Sequence, residues 1–209
     1  MHEYSSQIQK TYLLTFFCIT LCACSNNYTN YKCIMPEGAE LKAGDVVFRR
    51  GGGFTSQVVL VADRKGNYSH IGIVVEEGGE MMIVHAVPGE PDFDGDVDRV
   101  KMDTPERFFS SEYASIGEIC RSADSLAAIN AALEAYNIYK RNVLFDHDYN
   151  DADTTKMYCT ELVVHAFKKA GITLIGPERH EVRLSILNIN CIFPSDIHES
   201  PYLKTVLTF

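Results

Sequence analysis

Three side chains of this sequence have the chemistry of a thiol hydrolase, and they lie in two segments about 90 residues apart. Cys159 lies in KMYCTELVVHAFKKA (156–170), and His70 and His85 lie in YSHIGIVVEEGGEMMIVHA (68–86). A thiol beside an imidazole can become a nucleophilic thiolate, and a further polar group can orient that imidazole. Such a set attacks an amide or ester carbonyl, provided that the fold brings the two segments together.

The segment with Cys159 has the pattern of a helix. Gly171 is a candidate C-cap, and the apolar residues recur at helical spacing: Leu162, Val163, Ala166, Phe167 and Ala170. The candidate N-caps are Asp153, Thr154 and Thr155. Cys159 shares an apolar face with Val163 and Ala166, which predicts that the thiol points inward. The helix N-terminus would lower the pKa of the thiol. A buried structural cysteine is the alternative at this stage.

The two histidines lie on a predicted β-hairpin. Its β-branched strands flank Gly78-Gly79, and a two-residue loop there pairs residues whose numbers sum to 157. His85 then lies opposite Gly72, and both imidazoles project from the same face as diagonal neighbours. A loop longer or shorter by one residue would put them on opposite faces.

The remaining pattern predicts a single α+β domain. We expect strands at 46–48 and 114–120, and further strands near 173–175, 186–189 and 203–207. The predicted helices are 56–62, capped by Thr55, and 122–142, capped by Ser122 or Asp124, with a helical turn at 104–109. A loop is predicted over 88–105, and a glycine-rich loop at 51–53 should lie close to another chain segment or to a substrate. In the 122–142 helix, Leu126, Ile129, Leu133, Tyr136 and Lys140 follow the helical period.

Charge and composition limit the partners. The chain has 209 residues and a net charge of −9, which argues against nucleic acid and against an anionic membrane surface. Asp146, Asp148 and Asn150 imitate the start of a calcium loop, but Asp151 and Met157 stand where glycine and glutamate are needed. A zinc site of His70, His85 and Cys159 lacks a closely spaced ligand pair. We therefore predict no metal and no cofactor.

The first residues have the pattern of a lipoprotein leader. Lys10 precedes a short apolar stretch, 12–21, which is too short to span a membrane. Leu21-Cys22-Ala23-Cys24 resembles a bacterial lipobox, with Cys22 as a departure and Cys24 as the lipidated residue. The predicted organisation is a signal peptide (1–23), a tether (24–36) and a catalytic domain (37–209). The resemblance implies an envelope protein anchored by lipid, with sorting to the outer membrane.

Seven cysteines do not describe a disulfide framework. Cys18 and Cys22 belong to the predicted leader, and no CxxC spacing is present. One bridge among Cys33, Cys120 and Cys191 would be allowed in the envelope, and the sequence does not choose the pair.

The order of the two segments is similar to that of one known family. The chain resembles the NlpC/p60 superfamily in its circularly permuted, YiiX-like branch over residues 40–175, through AGDVVFRR (43–50), SHIGIV (69–74), VHA (84–86) and YCTELV (158–163). The resemblance implies a circularly permuted papain-like α+β fold, in which an antiparallel sheet or partial barrel packs against the helix with the cysteine.

The resemblance also implies roles for individual residues. Cys159 would be the nucleophile, His70 its base and His85 the third polar residue, while Tyr158 and Ser69 are candidates for oxyanion or substrate contacts. Glu161 is interpreted as structural. The expected activity is cleavage of an amide in a peptidoglycan stem peptide or an N-acyl amino acid through a thioacyl-enzyme. An acyltransferase or lipid-amide hydrolase with the same three residues, and a binding lipoprotein with an inert cysteine, are the alternatives.

Overall fold

The computed structural model describes residues 32–150, 154–177, 179–184 and 187–209. The described strands are β1 (Val46–Arg50), β2 (His70–Glu77), β3 (Glu80–Val87), β4 (Arg99–Asp103), β5 (Ile116–Ser122), β6 (Leu144–Phe145), β7 (Lys156–Met157), β8 (His180–Leu184), β9 (Leu187–Cys191) and β10 (Leu203–Thr208). The described helices are α1 (Phe54–Ala62), α2 (Pro105–Phe108), α3 (Ser125–Lys140), α4 (Cys159–Lys169) and α5 (Pro194–His198).

Eight strands form one sheet in the order β10-β5-β1-β2-β3-β4-β6-β7, and β8 and β9 form a separate hairpin. Neighbouring strands of the large sheet are antiparallel, apart from the parallel pair β6–β7. Residues of α3 and α4 share the main hydrophobic core with β1, β2 and β3. The predicted α+β arrangement, an antiparallel sheet packed against the cysteine helix, is confirmed.

The β2–β3 hairpin has the predicted register. Ile73 pairs with Val84 and Glu77 pairs with Glu80, so paired residue numbers sum to 157. Gly78 and Gly79 have φ values of 63° and 89°, the left-handed conformation that a two-residue hairpin turn needs at both positions. The strand order then places β4 beside β3.

Helix α3 is confirmed, and its buried face is made mostly of small residues. Leu126, Ile129 and Leu133, which follow the helical period, are 68%, 54% and 58% exposed. The buried face consists of alanines and Ile138: Ala127, Ala128, Ala131, Ala132, Ala135 and Ile138. Close packing explains this choice, because a Cβ added at Gly44 would lie 2.3 Å from the Ala128 carbonyl oxygen. Only small side chains allow that approach.

Two predicted N-caps are wrong. Helix α1 begins at Phe54 with Gly53 as its N-cap, so Thr55 lies inside the helix. Helix α4 begins at Cys159 with Tyr158 as its N-cap, because Lys156–Met157 pairs with β6 as a short strand and delays the helix. For α3 the Asp124 alternative is confirmed, since its side chain accepts a hydrogen bond from Ala127 N–H at 3.0 Å.

Two predicted segments, the loop over 88–105 and the strand at 173–175, need correction. The predicted loop over 88–105 contains β4, in which Val100, Lys101 and Asp103 are buried. The segment 173–175 forms no strand, although it is described. The strand expected at 186–189 corresponds to β9, which pairs with β8. The strands near 114–120 and 203–207 correspond to β5 and β10.

The folded domain begins before residue 37. Cys33 forms a bridge with Ser110, Ile34 N–H donates to Phe109 at 2.8 Å, and Met35 packs on a second small core. The last residues of the predicted tether therefore pack on the domain. The predicted signal peptide, the tether residues 24–31 and Cys24 lie outside the described residues. Of the helices that are described, none is long and apolar enough to cross a membrane.

Candidate active site

The start of α4 fixes the position of Cys159. Tyr158 has an extended backbone, with φ −99° and ψ 171°, and its N–H donates to the Glu161 carboxylate at 3.4 Å. Glu161 is buried and so caps the helix from inside, as its structural interpretation requires. Cys159 is the first residue of the helix, where backbone N–H groups have no partner within the helix.

The Cys159 sulfur lies against the strand that begins with His70. The backbone N–H groups of Thr160 and Ile71 lower the pKa of the thiol, so they lie near the sulfur, and Ile71 directly follows His70. Cys159 and His70 also line the same cavity, whose volume is about 420 Å³. His85 is fully buried and lies behind His70. The structure therefore brings the three sequence-predicted residues together, with a thiol and one imidazole at the cavity wall.

The two imidazoles form a hydrogen-bonded chain that ends on a carboxylate. His70 Nε2 lies 2.9 Å from His85 Nδ1, and His85 Nε2 lies 3.0 Å from Asp103 Oδ2. The ring of Phe108 packs against both imidazoles, at centroid distances of 5.7 and 5.1 Å. In the described part of the chain, no hydrogen bond joins His70 Nδ1 to another group, so that nitrogen is the one available on the cavity side.

The carboxylate determines which nitrogen of each neutral ring carries the proton. Ionised Asp103 accepts a hydrogen bond, so His85 Nε2 carries a proton and His85 Nδ1 is an acceptor. His70 Nε2 must then donate to His85, which leaves the lone pair of His70 on Nδ1. His70 is thereby prepared to accept a proton from a group in the cavity.

Asp103 is the site residue that sequence reasoning missed. It is buried, and its other carboxylate oxygen, Oδ1, lies 3.6 Å from Lys101 Nζ and 3.3 Å from Arg107 Nε. The hydrogen bond from His85 and the charges of Lys101 and Arg107 hold the pKa of Asp103 at about 2 despite its burial. Val100 and Met102 alternate with Lys101 and Asp103, and this period of two was the available signal for a strand.

Arg49 places a positive charge in the wall of the cavity. Its side chain is buried, forms an ion pair with Glu90, donates to the Phe108 carbonyl at 2.9 Å and lies 4.6 Å above the Phe108 ring. Its charge lowers the pKa of both His70 and Cys159. An arginine that is fixed in this way cannot lose its charge, so it favours anionic sulfur and neutral imidazole.

Burial decides the resting protonation of the pair. Burial raises the pKa of Cys159 to about 11, and this effect exceeds that of the N–H groups and Arg49, which lower it. Burial, Arg49 and His85 lower the pKa of His70 well below 6.5. The expectation of a lowered thiol pKa is therefore wrong, because desolvation of the thiolate outweighs the helix N-terminus. The resting pair is neutral thiol and neutral imidazole.

This neutral state predicts how Cys159 reacts with iodoacetamide. The alkylation rate should rise with pH from 6 toward 10 without a plateau near neutral pH, because the thiolate fraction grows until the pH reaches a pKa of about 11. Mass spectrometry of the peptide that contains Cys159 measures the rate at each pH. A plateau below pH 7 would instead indicate a preformed thiolate–imidazolium pair.

Gly72 gives His85 the space that it occupies. A Cβ added at Gly72 would lie 2.7 Å from Ile83 Cγ2 and 3.3 Å from His85 Cβ. We expect Gly72→Ala to destabilise the fold by about 1–3 kcal/mol through overpacking and to reduce activity by displacing His85. Denaturant unfolding measures the first effect. Gly176→Ala is the matched control, since nothing lies within 4 Å of an added Cβ there; an equal cost at both positions would contradict the packing argument.

Ser69 and Tyr158 line the cavity, and each hydroxyl accepts a backbone hydrogen bond. Ser69 Oγ accepts from Gly51 N–H at 2.9 Å, and the Tyr158 hydroxyl accepts from Ile192 N–H at 3.2 Å. The residues 51–53 of the glycine-rich loop also line this cavity. A Cβ added at Gly51 would lie 2.2 Å from Ser56 Oγ, so Gly51 approaches a neighbouring segment of the chain. Ser69 and Tyr158 thus shape the wall between this loop and Cys159.

The zinc site, the calcium loop and the disulfide that the sequence left open are not supported by the contacts of His85, Asp146 and the cysteines. Both ring nitrogens of His85 already have partners, so ligation by His85 would break the hydrogen-bonded chain. Asp146 accepts from Asp148 N–H and Asn150 N–H, so it closes a turn. Cys33, Cys120, Cys159 and Cys191 are free thiols.

Comparisons with known proteins agree with this fold. Residues 40–207 match the family model described as "Permuted papain-like amidase enzyme, YaeF/YiiX, C92 family". The crystal structure of the metalloprotein YiiX from Escherichia coli O157:H7 superposes with a TM-score of 0.65 at 17% identity, covering 82% of this chain and 99% of that one. No curated protein sequence matches the chain. The match over most of the chain shows that this protein belongs to the C92 family of permuted papain-like cysteine amidases.

Proposed function

We propose that the chain hydrolyses an amide with Cys159 as nucleophile, His70 as general base, and His85 and Asp103 as the groups that orient His70. The observation that carries this proposal is the hydrogen-bonded chain from Asp103 through His85 to His70, which ends at a cavity shared with Cys159. The family supports the reaction class, and the contacts support the roles proposed for the residues.

The mechanism starts from neutral groups. As the Cys159 sulfur attacks the carbonyl carbon, its proton passes to His70 Nδ1, and the new imidazolium charge is stabilised through His85 by Asp103. The N–H group of Cys159 at the helix start can donate to the oxyanion. His70 then returns the proton to the leaving amine, which departs and leaves a thioester. Water activated by His70 hydrolyses the thioester and regenerates the thiol.

The lining of the cavity favours a polar, peptide-like substrate. Arg49, Glu90 and Glu112 lie in its wall, and about 420 Å³ is enough for a few residues of a peptide. We therefore favour a peptidoglycan stem peptide or another N-acyl amino acid. Charged groups of such a substrate would find both signs of charge in this wall.

The substrate can be identified by incubating the protein with two panels, cell-wall stem peptides and N-acylated amines. Mass spectrometry would follow loss of the intact amide, release of the amine and, after a rapid acid quench, addition of the acyl group to the Cys159 peptide. We expect turnover of stem peptides and a transient adduct at Cys159. Turnover of neither panel, or an adduct at a different residue, would overturn the proposal.

An apolar pocket beside Cys159 favours a second candidate, an acyltransferase or lipid-amide hydrolase. This pocket, of about 80 Å³, is lined by Cys159 and by apolar residues of α1 and the segment after β9, including Val58, Val59, Ile192 and Phe193. In α1 no residue is buried, and Phe54 is strongly exposed. An acyl chain could cover this surface. Preference for the N-acylated amines in the same assay would select this candidate.

We also propose that Cys24 anchors the protein to the cell envelope through lipid. The pattern of residues 10–24 supports this proposal. The test is metabolic labelling with a radioactive fatty acid, followed by membrane fractionation of the wild type and of Cys24→Ser. Label and membrane association should both be lost in the variant. A soluble, unlabelled wild type would contradict the anchor.

A further inference from the structure

A mixed cluster of metal-ligating groups lies outside the candidate active site, on β5 and α5. Glu118 and Cys120 are two residues apart on β5, so their side chains share one face of the strand. His198, the last residue of α5, meets them there. One ligand atom from each lies within 4.8 Å of the others. We propose that Glu118, Cys120 and His198 bind one zinc ion.

One carboxylate oxygen is shared by the cluster. Glu118 Oε1 lies 2.9 Å from His198 Nε2 and 3.2 Å from Cys120 Sγ. Zinc bonds of about 2.0–2.3 Å in a tetrahedron separate such atoms by roughly 3.3–3.6 Å. Zinc therefore requires these two contacts to widen by a few tenths of an ångström, and the third pair, Cys120 Sγ and His198 Nε2, which lies within 4.8 Å, to reach a similar separation.

Neighbouring groups hold the three ligands in orientation. The Tyr68 hydroxyl donates to the other oxygen, Glu118 Oε2, which leaves Oε1 directed at the cluster. The His198 ring packs against Phe48 and Tyr68 at centroid distances of 5.4 and 5.6 Å. Because β5 is paired on both sides, with β1 and β10, the backbone of Glu118 and Cys120 is fixed. The ligands are thus positioned before an ion arrives.

Charge and exposure also favour a cation. Glu118 is buried, and Thr205, Tyr68, His198 and Cys120 lie at hydrogen-bonding distance from its carboxylate. Among the described residues, His198 is the only basic side chain at ion-pairing distance from it. Zinc with one carboxylate and one thiolate leaves no net charge in the site. His198 is 37% exposed, which provides an entry path and space for water as a fourth ligand.

The donor set selects the metal. A thiolate, an imidazole and a carboxylate together suit zinc, whereas magnesium and calcium prefer oxygen alone. Binding converts the Cys120 thiol to a zinc thiolate and releases one proton to solvent, while His198 ligates through Nε2 with a proton on Nδ1. Because the thiol loses its proton on binding, zinc affinity should increase with pH.

The ion would connect the far end of the sheet to the strand that carries His70. Tyr68, which orients Glu118, lies two residues before His70, and Thr205 of β10 packs 2.6 Å from Glu118 Oε1. Zinc would stabilise this region without contacting the cavity. The inference is therefore independent of the proposed amide hydrolysis.

Metal binding itself provides the test. Full-length protein with Cys159→Ala, which removes the cavity thiol, would be titrated with Co²⁺ and, by equilibrium dialysis, with Zn²⁺. We expect one equivalent of each, a thiolate-to-cobalt charge-transfer band in the near ultraviolet, and loss of the band when zinc is added. In this background, Cys120→Ser and His198→Gln should each lower zinc affinity at least about 100-fold.

Matched controls test the residues. Cys191→Ser removes another buried thiol, and His180→Gln removes an exposed histidine paired with Asp196; both should retain full binding. His198→Gln keeps the test valid if Cys120→Ser does not fold, because His198 is partly exposed. The absence of stoichiometric binding, or equal binding by His198→Gln and His180→Gln, would overturn the zinc site and leave a hydrogen-bonded cluster only.

Discussion

Replacing Cys159 by alanine should abolish amide hydrolysis, with kcat reduced by at least about a thousandfold. Alanine has no group that can form the thioester, so the only remaining route is direct attack by water on the amide, which is a much less reactive carbonyl than the thioester. The loss should appear in kcat because the wall that binds the substrate is intact. Steady-state assays on the best substrate from the two panels measure it, and circular dichroism confirms the fold.

Cys191→Ala is the matched control. Cys191 is a buried free thiol that lines the apolar pocket together with Cys159, so its loss removes a similar volume close to the site. It makes no part of the hydrogen-bonded chain, and we expect kcat to change less than about threefold, as for a substitution that only affects packing. Equal activity of Cys159→Ala and the wild type would remove the nucleophile assignment and favour a binding protein with an inert thiol.

The hairpin and the cysteine helix were predictable because each has a local signal. Gly78-Gly79 fixes a two-residue turn, and one turn fixes the register of every pair in β2 and β3. The diagonal placement of His70 and His85 follows from that register alone. Apolar spacing similarly identified the helix that begins at Cys159. These predictions depended on contacts within a few residues of each other.

The predictions that failed depended on tertiary environment. Lys101 and Asp103 are charged residues, which rarely occur at buried positions of a strand, and the surrounding Asp, Gly and Pro residues resembled a loop. Their burial is stable because Asp103 pairs with His85, Lys101 and Arg107, and none of these pairings can be read from local spacing. The pKa of Cys159 depends in the same way on desolvation by segments distant in the chain.

The buried face of α3 illustrates the same limit. Hydrophobic periodicity favoured Leu126, Ile129 and Leu133, but the helix packs too close to the chain near Gly44 for large side chains. Hydrophobic periodicity identifies the most apolar face of a helix, but it carries no information about how closely that helix packs against its neighbours. The alanines at 127, 128, 131, 132 and 135 formed a second stripe that was equally compatible with a helix.

Asp103 carries the second prediction with a large effect. Asp103→Asn should lower kcat by about 10²–10⁴-fold and change KM by less than about threefold, as for the carboxylate of a serine-protease triad. The carboxylate fixes the proton of His85 on Nε2 and stabilises the imidazolium that forms on His70. Asparagine is nearly isosteric, but it removes the charge and can donate to His85 Nε2. The proton of each imidazole would then lie on Nδ1, and His70 Nδ1 could no longer accept a proton from the thiol. Steady-state kinetics on folded variant protein separate kcat from KM.

The pH dependence of kcat distinguishes an electrostatic role from a purely structural one. Asp103 raises the pKa of His85 through its hydrogen bond and its charge, so its removal should lower the pKa of the coupled His70–His85 pair. Since His70 must be deprotonated to act as a base, the acidic limb of the kcat profile should move to lower pH in Asp103→Asn. Asp94→Asn, an exposed change on the preceding loop, should leave both kcat and the limb unchanged. A reduced kcat with an unmoved limb would show that Asp103 only supports the packing of β4, and His85 would then be the last member of the catalytic chain.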